Sequence, residues 1–416
     1  MPVKQPTARR GNLTGETPKL ASRVGSIRSR KATNQEVSVH IIRTVLAAAT
    51  ALAMPSCGGG DVIKIGLIAP LTGDVKTFGE GVRNAVMMAF EELNAAGGIN
   101  GRQVQIIASD DKNDPMEASN AGSKLIDMDA VLAIIGSVSS KCSVPLADKC
   151  QVAGIPMITP TSTNPKVTVG DDGKRKDFVF RACFIDPFQG TVAAKFARDS
   201  LKVGTAAVMY DVGNDYSKGL AEFFRDAFEG LGGRVVAFES YAKDDVDFSA
   251  LLTKVKLQDP DVVFLPDYYN KVGLIAKQAR QAGLRSVLLG GDGWDSPEMV
   301  RIAGEDIHGG FFTNHYSPED PRPEVQEWVE KYETRYGQRP DALATLGHDA
   351  ALLMIEALKT ATELKPKEIR DAMARIADFP CVSGKVTFDE WGNPIKSAVV
   401  LKYSARGQEY VATVEP

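Results

Sequence analysis

The segment AVLAIIGSVSSKCSVPLADKCQVAGIPMITP, residues 130–160, contains the unit from which the fold is built. An apolar run ends at Gly136, an amphipathic stretch continues to Gly154, and a second apolar run begins at Ile155. Short apolar runs predict buried strands, and the stretch between them is long enough for a helix. The segment therefore predicts a strand, a helix and a second strand parallel to the first.

The same unit recurs on both sides of this segment. Upstream, VIKIGLIAPL (62–71) and RQVQIIASDD (102–111) are predicted strands separated by a helix. After about residue 183 the alternation restarts, with predicted strands at residues 205–211, 234–241, 260–267 and 286–291. Alternating strands and helices form parallel sheets. The predicted fold class is α/β, with two doubly wound parallel-sheet lobes.

The C-terminal quarter departs from this alternation. Two helical patterns occupy residues 323–337 and 342–361. The stretches GKVTFDEWGNP (384–394) and SAVVLKYS (397–404) then flank a turn signal at Gly392-Asn393. These features predict a helix pair followed by a β-like end with a turn between its two stretches.

The N-terminal segment differs in charge from the rest of the chain. Residues 1–56 have a net charge of +7, and the remainder has −11, which argues against a nucleic-acid partner. The apolar run from Val45 to Met54 is too short for a membrane-spanning helix, which needs about 20 residues. A basic region, a short apolar run and small residues predict a signal peptide over 1–56, with a linker at 57–61. Cys57 is the predicted lipidation site of a periplasmic or cell-surface lipoprotein; soluble secretion after ordinary cleavage is the alternative.

The remaining cysteines leave the question of a disulfide open. Cys142 and Cys150 are eight positions apart in a predicted helix, hence about 12 Å apart, too far for a disulfide. Cys183 and Cys381 can pair in an oxidising compartment, or they can be small buried apolar residues.

Hydroxyl side chains follow two neighbouring predicted strands. The first loop contributes Ser137, Ser139, Ser140 and Ser143, and the second, TPTSTNP (159–165), contributes Thr161, Ser162 and Thr163. The carboxyl ends of parallel strands meet at one edge of a sheet, where ligands bind. The N-terminus of the helix after the first loop favours an anion, although capping by Ser140 alone is an equal alternative. The two loops can converge on one carboxylate.

Motifs for catalysis and cofactors are incomplete. The stretch from Gly136 to Ser140 lacks the closing glycine of a hydrolase elbow, no G-K-[ST] phosphate loop occurs, and Gly79, Gly81 and Asn84 lack the third glycine of a dinucleotide site. The cysteines and histidines are too few for a zinc site. We therefore expect no enzyme activity, cofactor or metal. The competing hypothesis is a secreted hydrolase that uses Ser139 or Ser140, for which His308, His315 and His348 are bases without a motif.

The second half offers a different chemistry at its predicted strand ends. Tyr216, Tyr268-Tyr269, Asp292 and Trp294 each follow a predicted strand. Aromatic rings beside a carboxylate suit a cation that has an apolar body. Core aromatics and a solvated aspartate are the alternative. With anion donors in one lobe and cation acceptors in the other, the pattern predicts a zwitterion such as an amino acid between the lobes.

Several longer stretches together resemble one known family. They are IKIGLIAPLTGDVKTFGEGVRNAVMMAFEELNAAGGINGRQVQIIASDDKNDP (63–115), IGSVSS (135–140), ITPTSTNP (158–165), FRACFIDPFQG (180–190), DYSKGLAEFF (215–224), and RQAGL (280–284) with GGDGW (290–294). The chain is similar to the leucine/isoleucine/valine-binding proteins of bacterial ABC transporters, which are type I periplasmic binding proteins. The resemblance extends from about Val62 to Tyr403.

This resemblance implies a set of ligand-binding residues. Ser140 matches a serine that binds the ligand carboxylate, and Asp292 matches the acidic residue that pairs with the ammonium. The other matching positions are Ser162 and Thr163 at both ends of the ligand backbone, Tyr216 and Tyr268 in the second lobe, and Phe78 and Val138 along the side-chain pocket. Three features depart from the family. The acidic residue at position 292 is often Glu in the family, Asn113 and Ser139 occupy the positions of a family disulfide, and Trp294 beside Asp292 is expected to reshape the pocket.

The resemblance also implies an architecture and a role. Crossovers near residues 182, 316 and 388 divide the chain into one lobe of 62–182 with 317–388 and another of 183–316 with 389–416. The lobes are expected to close on a branched-chain or similarly apolar amino acid, which a monomeric binding protein delivers to the permease of an ABC importer. Alternatives are a protein of the same fold that binds amides, urea or aromatic acids, and a receptor that senses a ligand.

Overall fold

Strands and helices alternate along most of the chain in a computed structural model that describes residues 62–416. The predicted signal peptide, linker and lipidation site therefore lie outside the described residues. The strands are β1 (Ile63–Ala69), β2 (Val104–Asp110), β3 (Ala133–Ile135), β4 (Met157–Thr159), β5 (Val179–Arg181), β6 (Thr205–Asp211), β7 (Arg234–Tyr241), β8 (Val262–Leu265), β9 (Val287–Gly290), β10 (Phe311–Asn314), β11 (Phe379–Cys381), β12 (Gly384–Val386), β13 (Ala398–Ser404) and β14 (Gly407–Val414). The helices are α1 (Lys76–Ala95), α2 (Pro115–Ser123), α3 (Ser140–Ala153), α4 (Asp186–Lys195), α5 (Asp215–Gly230), α6 (Ser249–Leu257), α7 (Tyr269–Gln281), α8 (Pro297–Ala303), α9 (Pro323–Tyr336), α10 (Ala342–Thr360) and α11 (Pro366–Ala374).

The first sheet is parallel throughout. Its order is β2-β1-β3-β4-β5, and each neighbouring pair runs in the same direction. The strands other than the edge strand β2 are almost fully buried, and α2 and α3 pack on one face of the sheet. Gly136 ends the strand that leads to α3; its φ is +125°, and a Cβ there would lie 2.1 Å from the carbonyl oxygen of Ile68. The turn into α3 therefore requires glycine.

The second sheet has a parallel core and an antiparallel edge. Its order is β14-β13-β10-β9-β8-β6-β7. β10 pairs with β13 and β13 with β14 in antiparallel fashion, and the other pairs are parallel. The predicted turn at Gly392-Asn393 is confirmed, since Phe388 and Pro394 form an antiparallel bridge across it. The flanking strands pair elsewhere: β12 pairs with β11, and β13 pairs with β10 and β14.

The chain passes between the two sheets three times. It leaves the first sheet after β5, leaves the second after β10, and returns to the second at β13. Between the last two passages, α10 packs against α1 and beneath β3 and β4 of the first sheet. The predicted α/β class with two doubly wound sheets is thus confirmed. The lobe boundaries of 62–182 with 317–388 and 183–316 with 389–416 stay a prediction.

The four described cysteines are buried and free: Cys142, Cys150, Cys183 and Cys381. Burial raises the pKa of the Cys183 thiol to about 12, so that thiol stays protonated and behaves as a small apolar group. Among the described helices, none has the length and apolar character needed to cross a membrane.

Candidate functional site

A cavity lies where the carboxyl ends of the two parallel sheet cores face each other. The lining residues are Pro70, Val75, Phe78, Val138, Ser139, Ser140, Thr161, Tyr216, Tyr268, Asp292, Gly293 and Leu343. The structure thus brings together seven of the predicted site residues, from Phe78 on α1 to Asp292 after β9.

One end of the cavity presents hydroxyls at the start of α3, which we call the hydroxyl end. Ser139 occupies the N-cap position, yet its side chain makes no capping bond and its Oγ has no hydrogen-bond partner among the described residues. Ser140 Oγ accepts a bond of 3.3 Å from the backbone N–H of Asn164. The first N–H groups of a helix lack partners within the helix and attract an anion. This end therefore suits a carboxylate.

The loop after β4 braces the hydroxyl end. Thr161 Oγ1 donates to the Val138 carbonyl at 2.6 Å. Ser162 Oγ lies 2.7 Å from Ser143 Oγ. The backbone carbonyl of Ser162 accepts a hydrogen bond of 2.8 Å from the fully buried guanidinium of Arg181. Ser162 therefore fixes the loop and is not among the residues that line the cavity.

The opposite end presents the carboxylate of Asp292, and we call it the acid end. Oδ1 accepts hydrogen bonds of 2.8 Å from both Gln189 Nε2 and Tyr216 Oη, and Oδ2 lies 3.0 Å from His315 Nε2. A Cβ on Gly291 would lie 2.6 Å from Tyr216 Oη and 2.9 Å from Gln189 Nε2. Glycine at 291 therefore lets both donors reach the carboxylate.

Asp292 remains ionised although it is buried. Burial acts to raise its pKa, but the hydrogen bond and the electrostatic attraction of His315, together with the hydrogen bonds from Gln189 and Tyr216, outweigh that effect and lower it. Burial lowers the pKa of His315, which opposes protonation of its ring at neutral pH. Of the described residues that line the cavity, Asp292 alone is charged. The acid end thus offers one net negative charge to a cation.

Aromatic rings form the wall between the two ends. Tyr216 and Tyr268 stack with their ring centroids 5.2 Å apart and 5° between the ring planes. Phe78, on α1, meets Tyr268 edge-to-face at 5.8 Å and Tyr269 at 4.9 Å. The Tyr268 hydroxyl has no hydrogen-bond partner among the described residues. The wall combines apolar surface with a polar atom close to the ligand space.

Contacts between the two sides enclose the cavity. Thr77 Oγ1 donates to Tyr269 Oη at 2.7 Å, and Asn164 Nδ2 donates to the Asp215 carbonyl at 2.8 Å. The Asp295 carboxylate accepts from the backbone N–H of Ala342 at 2.8 Å. These bonds join elements of the first sheet's side to elements of the second, as in a cleft that has closed.

Comparisons with known proteins identify the family. A model of the periplasmic binding protein family matches residues 62–408. The chain belongs to this family. It is 32% identical over 349 residues to a Leu/Ile/Val-binding protein homolog of Brucella abortus, covering 83% of this chain and 91% of the relative. It is also 32% identical over 334 residues to a leucine-, isoleucine-, valine-, threonine- and alanine-binding protein of Pseudomonas aeruginosa, covering 80% of this chain and 87% of the relative.

Solved structures agree with this assignment. The leucine binding protein LivK of Thermotoga maritima is 38% identical with a TM-score of 0.81, and the match covers 85% of this chain and 99% of that one. LivJ of Streptococcus pneumoniae, solved in complex with isoleucine, is 30% identical with a TM-score of 0.80, covering 85% and 100%. Membership of the family implies an extracytoplasmic location.

Three predicted site residues of this periplasmic binding protein do not line the cavity. Besides Ser162, these are Thr163, whose buried hydroxyl lies beside Asp186, and Trp294. The structure places the Trp294 side chain away from the cavity lining. Its indole donates to the Leu265 carbonyl at 2.9 Å and its ring stacks near Phe312, so it packs in the core of the second sheet.

Sequence reasoning missed the residues that support the site. Gln189 and His315 hold Asp292, and Arg181 holds the loop after β4. At the hydroxyl end, Ser137 donates to the buried Asp111 carboxylate, and burial raises the pKa of Asp111 to about 6. Gln189 lies in the quoted stretch FRACFIDPFQG, so its place in that motif was the available signal.

The site lacks the arrangement that the hydrolase hypothesis needs. His315 is bonded to Asp292 at the acid end, and His348 lies against Trp328 with 4.2 Å between ring centroids. Within residues 62–416, no hydrogen bond joins a histidine to Ser139 or Ser140. No group of three or more His, Cys, Asp or Glu side chains in this range is arranged to hold a metal ion.

Proposed function

We propose that this periplasmic binding protein captures an apolar α-amino acid, with the ligand carboxylate at the hydroxyl end and the ligand ammonium at Asp292. The single observation that carries this proposal is the buried carboxylate of Asp292 at the acid end of the cavity, on which the side chains of Gln189, Tyr216 and His315 converge. An unpaired buried charge is costly, so its counterpart is expected to be a cationic group of the ligand. The start of α3 across the cavity supplies the complementary anion donors.

The remaining lining supports an apolar ligand side chain. Pro70, Val75, Phe78, Val138 and Leu343 present hydrocarbon surface on the first sheet's side of the cavity. The relatives named for leucine, isoleucine and valine binding agree with this chemistry. A branched-chain amino acid gains from burial of its methyl groups here, at about 0.8 kcal/mol per CH₂.

We further propose that the closed form delivers this ligand to the permease subunits of an ABC importer. Closure joins surfaces of both lobes, so a permease can distinguish the loaded form from the open one. In this proposal the chain is a monomer, and Cys57 anchors it to the membrane after removal of residues 1–56. It acts without cofactor, metal or catalysis.

A second candidate ligand class is that of aromatic acids. A solute-binding protein of R. palustris, solved in complex with benzoate, shares the fold with a TM-score of 0.77 at 23% identity. Benzoate has no cation to pair with Asp292, and its own charge would be repelled there. The acid end therefore favours the amino acid over the aromatic acid.

The test is thermal unfolding of the purified protein against a ligand panel. The panel contains the common amino acids, simple amides, urea and benzoate. A ligand that binds only the folded state raises the midpoint temperature of unfolding. At a ligand concentration of 100 times Kd, the added free energy of unfolding is about 2.7 kcal/mol. We expect a shift with leucine, isoleucine or valine. A shift with benzoate or an amide and with no amino acid would retire the zwitterion proposal and leave the fold assignment intact.

A further inference from the structure

His315 joins the acid end of the cavity to the connections between the sheets. It follows β10 directly, and its ring stacks on Phe184 with 3.8 Å between the ring centroids. Phe184 lies in the connection after β5, and both side chains are buried. With Nε2 on Asp292 and one ring face on Phe184, the imidazole cannot turn away from the carboxylate unless this connection repacks.

The hydrogen bonds on Asp292 determine where a ligand ammonium can bind. Each carboxylate oxygen accepts about two hydrogen bonds. Gln189 and Tyr216 supply two to Oδ1, and His315 supplies one to Oδ2. The position that remains lies on Oδ2. The ammonium and His315 therefore share one oxygen atom.

The second ring nitrogen of His315 indicates its protonation state. Nδ1 is buried and has no hydrogen-bond partner among the described residues. A neutral imidazole with its proton on Nε2 donates to Asp292 and leaves Nδ1 as an unpaired acceptor. Protonation would add an N–H donor at Nδ1 with no acceptor beside it, which is costly in a buried site.

We propose that His315 is a positioning residue that presents Asp292 to the ligand ammonium while its ring is neutral, and that competes with the ammonium once its ring is protonated. This inference rests on the proposed function. A charged imidazolium would neutralise Asp292 and repel the ammonium on the shared oxygen. Ligand affinity is therefore expected to fall as the pH falls.

The other charged groups that face His315 do not remove this effect. Asp295 attracts a proton to the ring, but its oxygens already accept from Asn314, Gln408 and the N–H of Ala342. Lys396 opposes protonation of the ring; its ammonium donates to the Ala182 carbonyl at 3.2 Å and to Ser383, and lies 3.8 Å from Asp349. Asp292 is thus the direct polar partner of the ring.

Neighbouring acids also titrate, and the test must separate them from His315. Burial raises the pKa of Asp111 and of Asp267 to about 6. Burial raises the pKa of Asp186 to about 8, so Asp186 stays protonated throughout the acid range. The contributions of Asp111 and Asp267 are common to the wild type and to a His315 variant, so the difference between the two proteins isolates His315.

The experiment is calorimetric titration of the full protein with L-leucine from pH 5 to pH 8. In the wild type, the association constant should fall with pH, approaching about tenfold per pH unit for one linked proton below the pKa of His315. His315→Gln keeps a donor at the Nε2 position and cannot titrate. The His315→Gln variant should bind L-leucine within about threefold of the wild type at pH 7.5. Its association constant should fall less at low pH than that of the wild type, by the part that protonation of His315 causes. His315→Leu should lose about tenfold or more at pH 7.5, because its donor is gone.

His348→Gln is the matched control. His348 is a second histidine whose Nδ1 has no partner among the described residues, and its ring lies against Trp328 away from the cavity lining. Its variant should follow the wild-type pH profile. Equal profiles for the wild type and His315→Gln would overturn the inference and leave the proposed function standing. A wild type that binds no amino acid at pH 7.5 would overturn both.

Discussion

The two ends of the cavity bind charge by different means. The hydroxyl end relies on the start of α3 and on the hydroxyls of Ser139 and Ser140, none of which carries a charge. The acid end concentrates one charge on Asp292 and holds it with three side chains from separate elements. Binding at an end with several weak donors survives the loss of one donor, whereas binding at an end with a single charged group fails when that group is removed. The difference predicts which substitutions abolish binding and which only weaken it.

The largest effect should come from the charge of Asp292. Asp292→Asn keeps the size of the side chain and removes the charge, so the ammonium of a bound amino acid would be buried without a counterion. We expect a loss of more than about 2 kcal/mol, roughly thirtyfold in Kd for L-leucine. Calorimetric titration measures it, with the unliganded unfolding midpoint as the control for folding. Unchanged affinity would refute the role assigned to Asp292.

A smaller loss should follow when one donor to that carboxylate is removed. Tyr216→Phe keeps the ring that stacks on Tyr268 and deletes the hydroxyl that donates to Asp292 at 2.8 Å. A hydrogen bond to a charged group contributes about 1.5 kcal/mol, so Kd should rise about tenfold. The same hydroxyl also accepts from the N–H of Gly293 at 3.2 Å.

The control for this variant is Tyr210→Phe. Tyr210 lies on β6 with its ring against Phe238 and is not among the residues that line the cavity. Its variant should bind L-leucine as the wild type does. Equal losses in the two variants would mean that the effect arises from packing of the second lobe and not from the support of Asp292.

Local patterns predicted most of the fold, and long-range pairing accounts for the part that they missed. The expected bounds of β6 (205–211) and β7 (234–241) match those of the structure, because alternating apolar runs between turn signals define a strand locally. The pairing of β13 with β10 and β14 was not predicted, because a strand's own pattern does not specify which edge it joins. β14 lies beyond that edge and was not predicted.

The site shows the same limit. Tyr216 and Asp292 follow predicted strands, and parallel topology brings such strand ends together. Gln189 lies 103 positions from Asp292 in sequence, and nothing local to Gln189 indicates that contact. Trp294 is two positions beyond Asp292, but its side chain turns into the core. Proximity in sequence to a site residue was therefore a poor guide to the direction of a side chain.

The smallest effect should come from the hydroxyl end. Ser140→Ala removes one hydroxyl and leaves the backbone N–H groups at the start of α3, which carry the partial positive charge of the helix. The lost hydroxyl also accepts from the N–H of Asn164 at 3.3 Å, a long bond with little energy to lose. We expect less than about 1 kcal/mol, under about fivefold in Kd for L-leucine. If Ser140→Ala instead lost as much affinity as Asp292→Asn, binding of the ligand carboxylate would depend on a single hydroxyl. The hydroxyl end would then not bind through several weak donors, and its difference from the acid end would be refuted.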